Sequence, residues 1–333
     1  MLNKVFRTVS NSAVTSGLLS MFERIDNHSP RLLRVLTYHR VTAPEKTPYQ
    51  YPRVTVRPEV FEQHMRFLKR HYRVISMAEV LESLATGDPL PELAVLITFD
   101  DAYRDFADNA VPVLQHYHLP ATLFVPTAFP DHPERTFWWD KLHAAIECAA
   151  NMEIIRTPLG LLPVATAAQR KNTFSRLRDH VKTTPHQAAM DWVNQFCEEL
   201  EAPTTAGNVL SWDELRQLAS AGITLGAHTR THPMMDQISS DEIREEAVGS
   251  WQDLQNNVGE TLPIFAFPSG GYNQKVLQIL AEEGFQIAFT TERGINDLRK
   301  ADRLQLKRIN VGPKTTLPLL RAQLLSWMKP YRQ

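Results

Sequence analysis

The feature that most constrains this chain is a series of short apolar runs, each long enough for one strand and each set against stretches with helical spacing. Ala94-Val95-Leu96-Ile97 is such a run. It is continuous rather than alternating, as a strand buried on both faces requires, and it ends in Thr98-Phe99-Asp100-Asp101. Ile223-Thr224-Leu225-Gly226-Ala227 likewise delivers His228-Thr229-Arg230-Thr231-His232. Pro233 argues against a helix interior as the setting of the two histidines. Two carboxylates and two imidazoles are therefore expected at the carboxyl ends of two strands. One Asp with two His is a common ligand set for a divalent metal that keeps positions open for water and substrate, and the adjacent Asp is free to act as a base. An Asp pair alone is more often a turn or a helix cap, and a lone His-x-x-x-His is more often structural. Their joint occurrence at strand ends points to a metal-dependent hydrolase.

The rest of the chain repeats the alternation. Leu33 to His39 reads as the first strand, followed by a Pro-rich loop to Pro58. The spacing of Val60, Phe61, Met65 and Leu68 predicts a helix from Pro58 to Tyr72 with one buried face. A short strand at Val74-Ile75, a helix from Met77 to Ala85 ended by Gly87, the Ala94–Phe99 strand, a helix over Tyr103–His118 and a strand over Ala121–Val125 follow. From about Thr136 to Pro203 the pattern is mainly helical, with Trp138, Trp139, Leu142 and Ile146 at helical spacing. Core packing is the plainer role for the two tryptophans, a sugar-lined cleft the alternative. Alternation resumes where Ser211 and Glu214 form a capping box. It continues through strands at 223–227, 263–267, 287–290 and 305–311 and a last helix from Leu317 to Met328. The fold class expected is α/β, a distorted (β/α) barrel of about seven parallel strands with a helical insertion. The expected division is an N-terminal extension over 1–32, a barrel over 33–130 and 209–333, and the insertion over 131–208.

Composition narrows the function. With 333 residues, 43% hydrophobic and 22% charged, the chain suits one large α/β domain with an insertion. A formal net charge of −1 gives no reason to expect a nucleic-acid partner. Cys148 and Cys197 match no metal spacing and make no disulfide framework. No stretch is long and apolar enough to span a bilayer. Lys4 and Arg7 resemble the start of a signal peptide, but the following apolar stretch is broken by Ser and Thr and lacks a clear cleavage site. An amphipathic leading helix is expected instead, with Val5, Val9, Leu18, Met21 and Phe22 partly on one face, either packed on the domain or resting on a membrane surface. The location expected is cytoplasmic in preference to secreted or periplasmic, with membrane association following only if that helix rests on a membrane surface.

Thr-Phe-Asp-Asp, then His-Thr-x-x-His-Pro, then Phe265-Ala266-Phe267-Pro268-Ser269-Gly270, in that order, resemble the polysaccharide deacetylase (NodB-homology) family. The likeness covers roughly Leu33 to Phe129 and Trp212 to Val311. It implies a distorted (β/α) barrel and metal-dependent removal of N- or O-acetyl groups from an acetylated carbohydrate. By the resemblance, Asp101, His228 and His232 would hold a divalent metal, zinc first, with cobalt or nickel as alternatives. Asp100 would be the general base that takes a proton from the metal-held water. Thr229 would either orient the loop between the histidines or simply shape its turn. The third motif would supply the substrate and oxyanion contacts, through Pro268, Ser269, Gly270 and Tyr272, with the Ser269 N–H facing the developing charge.

Two departures from the family pattern stand out. Many relatives carry an Arg two residues before the third-motif Pro, paired with the base; here Ala266 occupies that place. Arg308, in Leu306-Lys307-Arg308-Ile309-Asn310-Val311, is the candidate substitute, against a plain surface-strand role. Relatives also supply a general acid from a C-terminal Leu-x-x-His, and no His follows His232. His39, at the end of the first strand, is the candidate for protonating the leaving amine, against a structural role. This Tyr-His placement and the missing Arg are similar to poly-N-acetylglucosamine deacetylases. Other readings are a non-catalytic glycan-binding or scaffold relative, and a metal hydrolase acting on the amide of a small nitrogenous metabolite.

Overall fold

Seven parallel strands close on themselves in the computed structural model, which describes residues 13–26, 29–47, 49–203 and 208–327. The strands of the main sheet are β1 (Leu32–Tyr38), β2 (Arg73–Ile75), β3 (Ala94–Phe99), β4 (Thr122–Val125), β5 (Thr224–Ala227), β6 (Ile264–Ala266), β7 (Ile287–Arg293) and β8 (Leu306–Asn310). The ring runs β1-β3-β4-β5-β6-β7-β8 and returns to β1. It is distorted at β3. There β2 pairs with the amino half of one edge, Ala94 to Leu96, while β4 takes the carboxyl half at Thr98 and Phe99. A short antiparallel strand, Asn296–Asp297, adds to the amino end of β1.

The period-2 alternation of strands sets which side chains enter the barrel. Val35, Leu96, Phe124, Ala266, Phe289 and Leu306 pack together as one inner cluster. Leu36, Ile97, Leu123, Leu225, Phe265 and Ile309 belong to the larger cluster beneath the surrounding helices. The helix Pro58–His71 buries Phe61, Met65 and Leu68 there, and capping boxes start the helices at Met77 (Ser76 with Glu79) and Trp212 (Ser211 with Glu214). Carried past the ends of β1, β3 and β5, the same phase points His39, Asp100 and His228 inward, and within β8 it points Arg308 inward. The barrel is narrow at β5. A Cβ on Gly226 would lie 2.6 Å from the Phe124 ring, so glycine is what lets Phe124 fill the interior.

Four expectations are corrected. The helix expected over 103–118 is broken into a π-helical turn, Phe106–Ala110, and the helix Val111–His116. Pro112 lacks the N–H that an α-turn would need there, so the turn widens. The 136–203 segment is mainly helical, as expected, but it is interrupted once. Between the helices Trp138–Cys148 and Ala167–Thr183 lies a hairpin, Ile154–Thr157 with Gly160–Pro163, whose turn uses Gly160 at φ 90°. The last helix stops at Gln323, five residues earlier than expected. The leading helix is Ala13–Arg24. Val5, Val9 and the Leu18 side chain lie outside the described residues, while Leu19 packs on Ala322 and Phe22 meets Trp327 at 5.2 Å. Met21 is 56% exposed, because two helical positions from Leu19 is the opposite side. Arg321 grips Glu23 with two hydrogen bonds, of 2.7 and 2.8 Å, and ties this helix to the last one. No helix among the described residues is long and apolar enough to cross a membrane.

Gly226→Ala forces a methyl into the Phe124 ring and is expected to cost about 1–3 kcal/mol, as overpacking does. Thermal or urea unfolding checks this, and an unchanged midpoint would contradict the packing described.

Candidate active site

At the carboxyl mouth of the barrel lies a cavity of about 410 Å³. His39, Asp100, Asp101, His228, His232, Ser269 and Arg308 all line it. Asp100 and Asp101 leave β3 side by side and are 3% and 2% exposed. They diverge because Asp101 takes a left-handed φ of 75°. That conformation is costly for a residue with a Cβ, on the order of 1–3 kcal/mol. Ala102, Thr229, His232 and Ser269 also have positive φ. Strain of this kind collects where side chains must be aimed rather than merely packed.

Asp100 is held by a two-pronged ion pair. The Arg308 Nη1 and Nη2 donate to its Oδ1 and Oδ2, both at 2.8 Å, and Arg308 Nε donates to the Thr290 carbonyl at 2.9 Å. Arg308 is completely buried. Burial opposes ionisation of Asp100, but the Arg308 guanidinium, with His228 and His39 nearby, holds its carboxyl below the ordinary carboxylate range. The pair therefore adds stability above about pH 4, the unfolded value, and loses it as pH falls through the depressed folded value. His39 Nε2 stands 3.9 Å from Asp100 Oδ2, with its side chain 26% exposed to the cavity.

Asp101 has a different set of neighbours. Its Oδ1 lies 3.3 Å from His228 Nε2 and 3.3 Å from His232 Nε2. Candidate ligand atoms of the three residues all lie within 4.8 Å of one another. His228 Nδ1 is 2.8 Å from the Ala266 carbonyl. A carbonyl can only accept, so Nδ1 carries a proton and Nε2 is the ring atom turned toward Asp101, the one available to a metal. Asp101 Oδ1 is buried with no hydrogen-bond partner. Lone pairs converging on one point in a buried pocket fit a divalent cation, and His/Asp donors suit zinc and its neighbours. Burial works against ionisation of Asp101 too, yet its contacts with His228 and His232 hold it far below the usual range.

The loop between the two histidines is braced from within and behind. Thr229 is fully buried, and its hydroxyl donates to the His228 carbonyl and accepts from the His232 N–H. From the helix Ser240–Val258, Glu246 accepts from the N–H groups of Arg230 and Thr231 at 2.7 and 2.9 Å. Asp253 clamps the Arg230 side chain at 2.8 and 2.9 Å. Gly249 lies between them on that helix face, where a Cβ would sit 2.5 Å from the guanidinium. On the opposite wall the Trp139 ring meets His232 edge-on at 4.8 Å. Trp139 donates to the Tyr103 hydroxyl, which donates to Asp140. Thr229 aside, these supports were not read from the sequence, although Glu246, Gly249 and Asp253 recur at one-face helical spacing.

Within the third motif the placement is mixed. Ser269 lines the cavity, in a turn where the Gly270 and Gly271 N–H groups are already given to the Phe267 and Pro268 carbonyls. Pro268 is buried beneath that turn, and Gly270 abuts Thr291, whose Oγ1 would be 1.9 Å from a Cβ. Tyr272 does not line the cavity; it stacks on Phe267 and donates to Glu292 at 2.6 Å. Trp138 and Trp139 are 7% exposed within the core of the 137–196 segment, and each also shows one edge to the cavity.

A parallel barrel with a carboxylate–imidazole centre at its carboxyl mouth defines a class of barrel hydrolase. The sequence profile described as "Polysaccharide deacetylase" matches residues 87–288. The chain belongs to the polysaccharide deacetylase family, whose chemistry is the removal of acetyl groups from carbohydrate. The YxkH protein of Bacillus subtilis (strain 168) is 22% identical over 290 residues, covering 87% of this chain and 75% of that one. The poly-beta-1,6-N-acetyl-D-glucosamine N-deacetylase of Escherichia coli (strain K12) is 24% identical over 276 residues, 82% of this chain; the match spans only 36% of that protein. Among solved structures, the Streptococcus pyogenes deacetylase PplD in complex with acetate shares the fold. Its TM-score is 0.59 at 22% identity, over 88% of this chain and 98% of that one.

Arg308→Met leaves Asp100 buried beside no guanidinium. Its pKa should rise, so the acid limb of kcat/KM should move to higher pH, with a stability loss of about 3–5 kcal/mol. A pH profile superimposable on that of the parent would refute the pairing's importance. Glu246→Ala should release the two loop N–H groups and weaken zinc affinity about tenfold or more, read by competition with a chelating dye. Unchanged affinity would show that the loop holds itself.

Proposed function

We propose that this chain removes N-acetyl groups from an amino sugar within a glycan or glycan intermediate. The observation that carries this reading is the segregation of two adjacent carboxylates. Asp101 faces two imidazoles in a metal-fitting pocket, and Asp100 faces the same cavity held by Arg308. Asp101, His228 and His232 would hold the divalent cation, zinc first. When bound there, such an ion acidifies water and polarises a carbonyl. The names of the Escherichia coli and Streptococcus relatives, an N-deacetylase and a deacetylase with acetate, support the choice of bond.

The protein groups divide the remaining work. Asp100, kept ionised by Arg308, takes the proton of the attacking water as the oxygen adds to the acetyl carbon. Arg308 fixes the carboxylate plane and keeps its two oxygens in place. The Ser269 N–H faces the carbonyl oxygen as its charge grows. His39, within 4 Å of Asp100 and open to the cavity, gives a proton to the sugar nitrogen as the C–N bond breaks. Acetate and a free amine leave. Thr229 keeps the His loop in its strained turn.

The test is acetate release from N-acetylglucosamine oligomers by zinc-loaded protein. Asp100→Asn should retain zinc and lose about 10²–10⁴ in kcat. His39→Ala should do likewise, whereas Asp101→Ala and His228→Ala should lose zinc and turnover together. Near-normal turnover by Asp100→Asn would overturn the assignment of the base, and near-normal turnover by His39→Ala that of the acid.

A further inference from the structure

The outer wall of the active-site cavity is cationic. Arg53, Arg178, Lys182 and Arg293 line it, and the carboxylates lining the same cavity are Asp100 and Asp101 alone. Those two lie at the floor and are matched by Arg308 and the imidazoles. In a chain of formal net charge −1, this sets a strong local positive field over one mouth. The cations come from three separate places: the turn Pro52–Val54, the helix Ala167–Thr183 and the end of β7. Arg178 and Lys182 stand four residues apart on that helix, a spacing at which like charges oppose each other. Arg178 keeps a surface partner, the exposed Asp179, at 2.6 and 2.9 Å. Lys182 is half-buried, and among the described residues its ammonium makes no hydrogen bond or close ion pair; the carboxylate whose charge acts on it, Asp179, is the one already paired with Arg178. A helix C-terminus favours cations and so accounts for Lys182 in the last turn, but not for Arg53 or Arg293 facing the same space.

A half-buried ammonium with no anion of its own is costly, and a ligand that brings the anion removes that cost. We infer that the acetylated sugar is presented with a phosphate or diphosphate group, which Arg53, Arg178 and Lys182 bind at the rim while the acetyl group lies at the floor. Several cations from different elements suit a multiply charged, tetrahedral oxyanion better than a single carboxylate. The same rim would repel a polymer of free amines, which is what repeated deacetylation of a neutral polysaccharide produces. This deepens the deacetylase reading by naming the substrate class, and only the placement of the acetyl group rests on that reading.

The test is calorimetric titration of metal-free protein, so that no bound metal holds the phosphate. The probes are N-acetylglucosamine, N-acetylglucosamine 1-phosphate, farnesyl-diphosphoryl-N-acetylglucosamine and an N-acetylglucosamine–glucuronate disaccharide. The phosphorylated probes should bind about tenfold or more tighter than the neutral sugar. Arg178→Gln with Lys182→Gln should abolish that preference while leaving the unfolding midpoint in place. Equal binding of the two phosphorylated probes assigns recognition to the phosphate alone. Tighter binding of the farnesyl form assigns a lipid carrier, and both results support the inference. Equal affinity for neutral and phosphorylated sugar, a preference that survives the double substitution, or glucuronate bound as well as phosphate would each overturn it. Loss of acetate release with the phosphate preference intact would remove the deacetylase reading and leave this one standing.

Discussion

Two adjacent carboxylates buried at the end of one strand would raise each other's pKa unless each had its own positive partner. The architecture of the site follows from that constraint. Asp100 receives a guanidinium from β8, delivered by the inward phase of that strand, and Asp101 receives two imidazoles from β5 and the loop beyond it. The result is a division of labour between neighbours in sequence. One carboxylate is fixed as an ionised acceptor, and the other is left with a lone pair that only a cation satisfies. The left-handed turn at Asp101 makes this possible, because an ordinary extended residue there would point to the far face of the strand.

Strain of this kind persists only where the surroundings over-determine it. Here the over-determination is visible. Glu246 and Asp253 hold the His loop from a long helix, the Thr229 hydroxyl closes it from within, and Trp139 leans on His232 from the inserted segment. The inserted segment thus serves the site in two ways. Its tryptophans form part of its own core and part of the cavity wall, and its helix Ala167–Thr183 brings the cations of the rim.

Much of this was legible before any coordinates. Buried parallel strands declare themselves as continuous apolar runs, so the strands carrying Asp100 and His228 were placed to within a residue, and the Ser211–Glu214 capping box marked a helix start. What failed has local causes. The hairpin at 154–163 is too short for its apolar run to be told from a helix, and Pro112 widened a turn that periodicity alone reads as regular. Tyr272 is near the motif in sequence but is drawn away by Phe267 and Glu292. The contact between Arg308 and Asp100 spans 208 residues, and no spacing rule could have derived it; it was proposed because Ala266 left the base without its usual partner. Glu246 and Asp253 were missed because acidic residues on an amphipathic helix ordinarily face water.

The central claim is that Asp101, His228 and His232 form one metal centre with Asp100 standing beside it as a free base. The most direct measurement is a crystal structure of zinc-loaded protein with anomalous scattering recorded at the zinc edge. The account predicts a single strong peak within bonding distance of Asp101, His228 and His232, with Asp100 still held by Arg308 and not ligating. A peak that recruits Asp100 as a ligand, or no peak at this position in fully loaded protein, would contradict it.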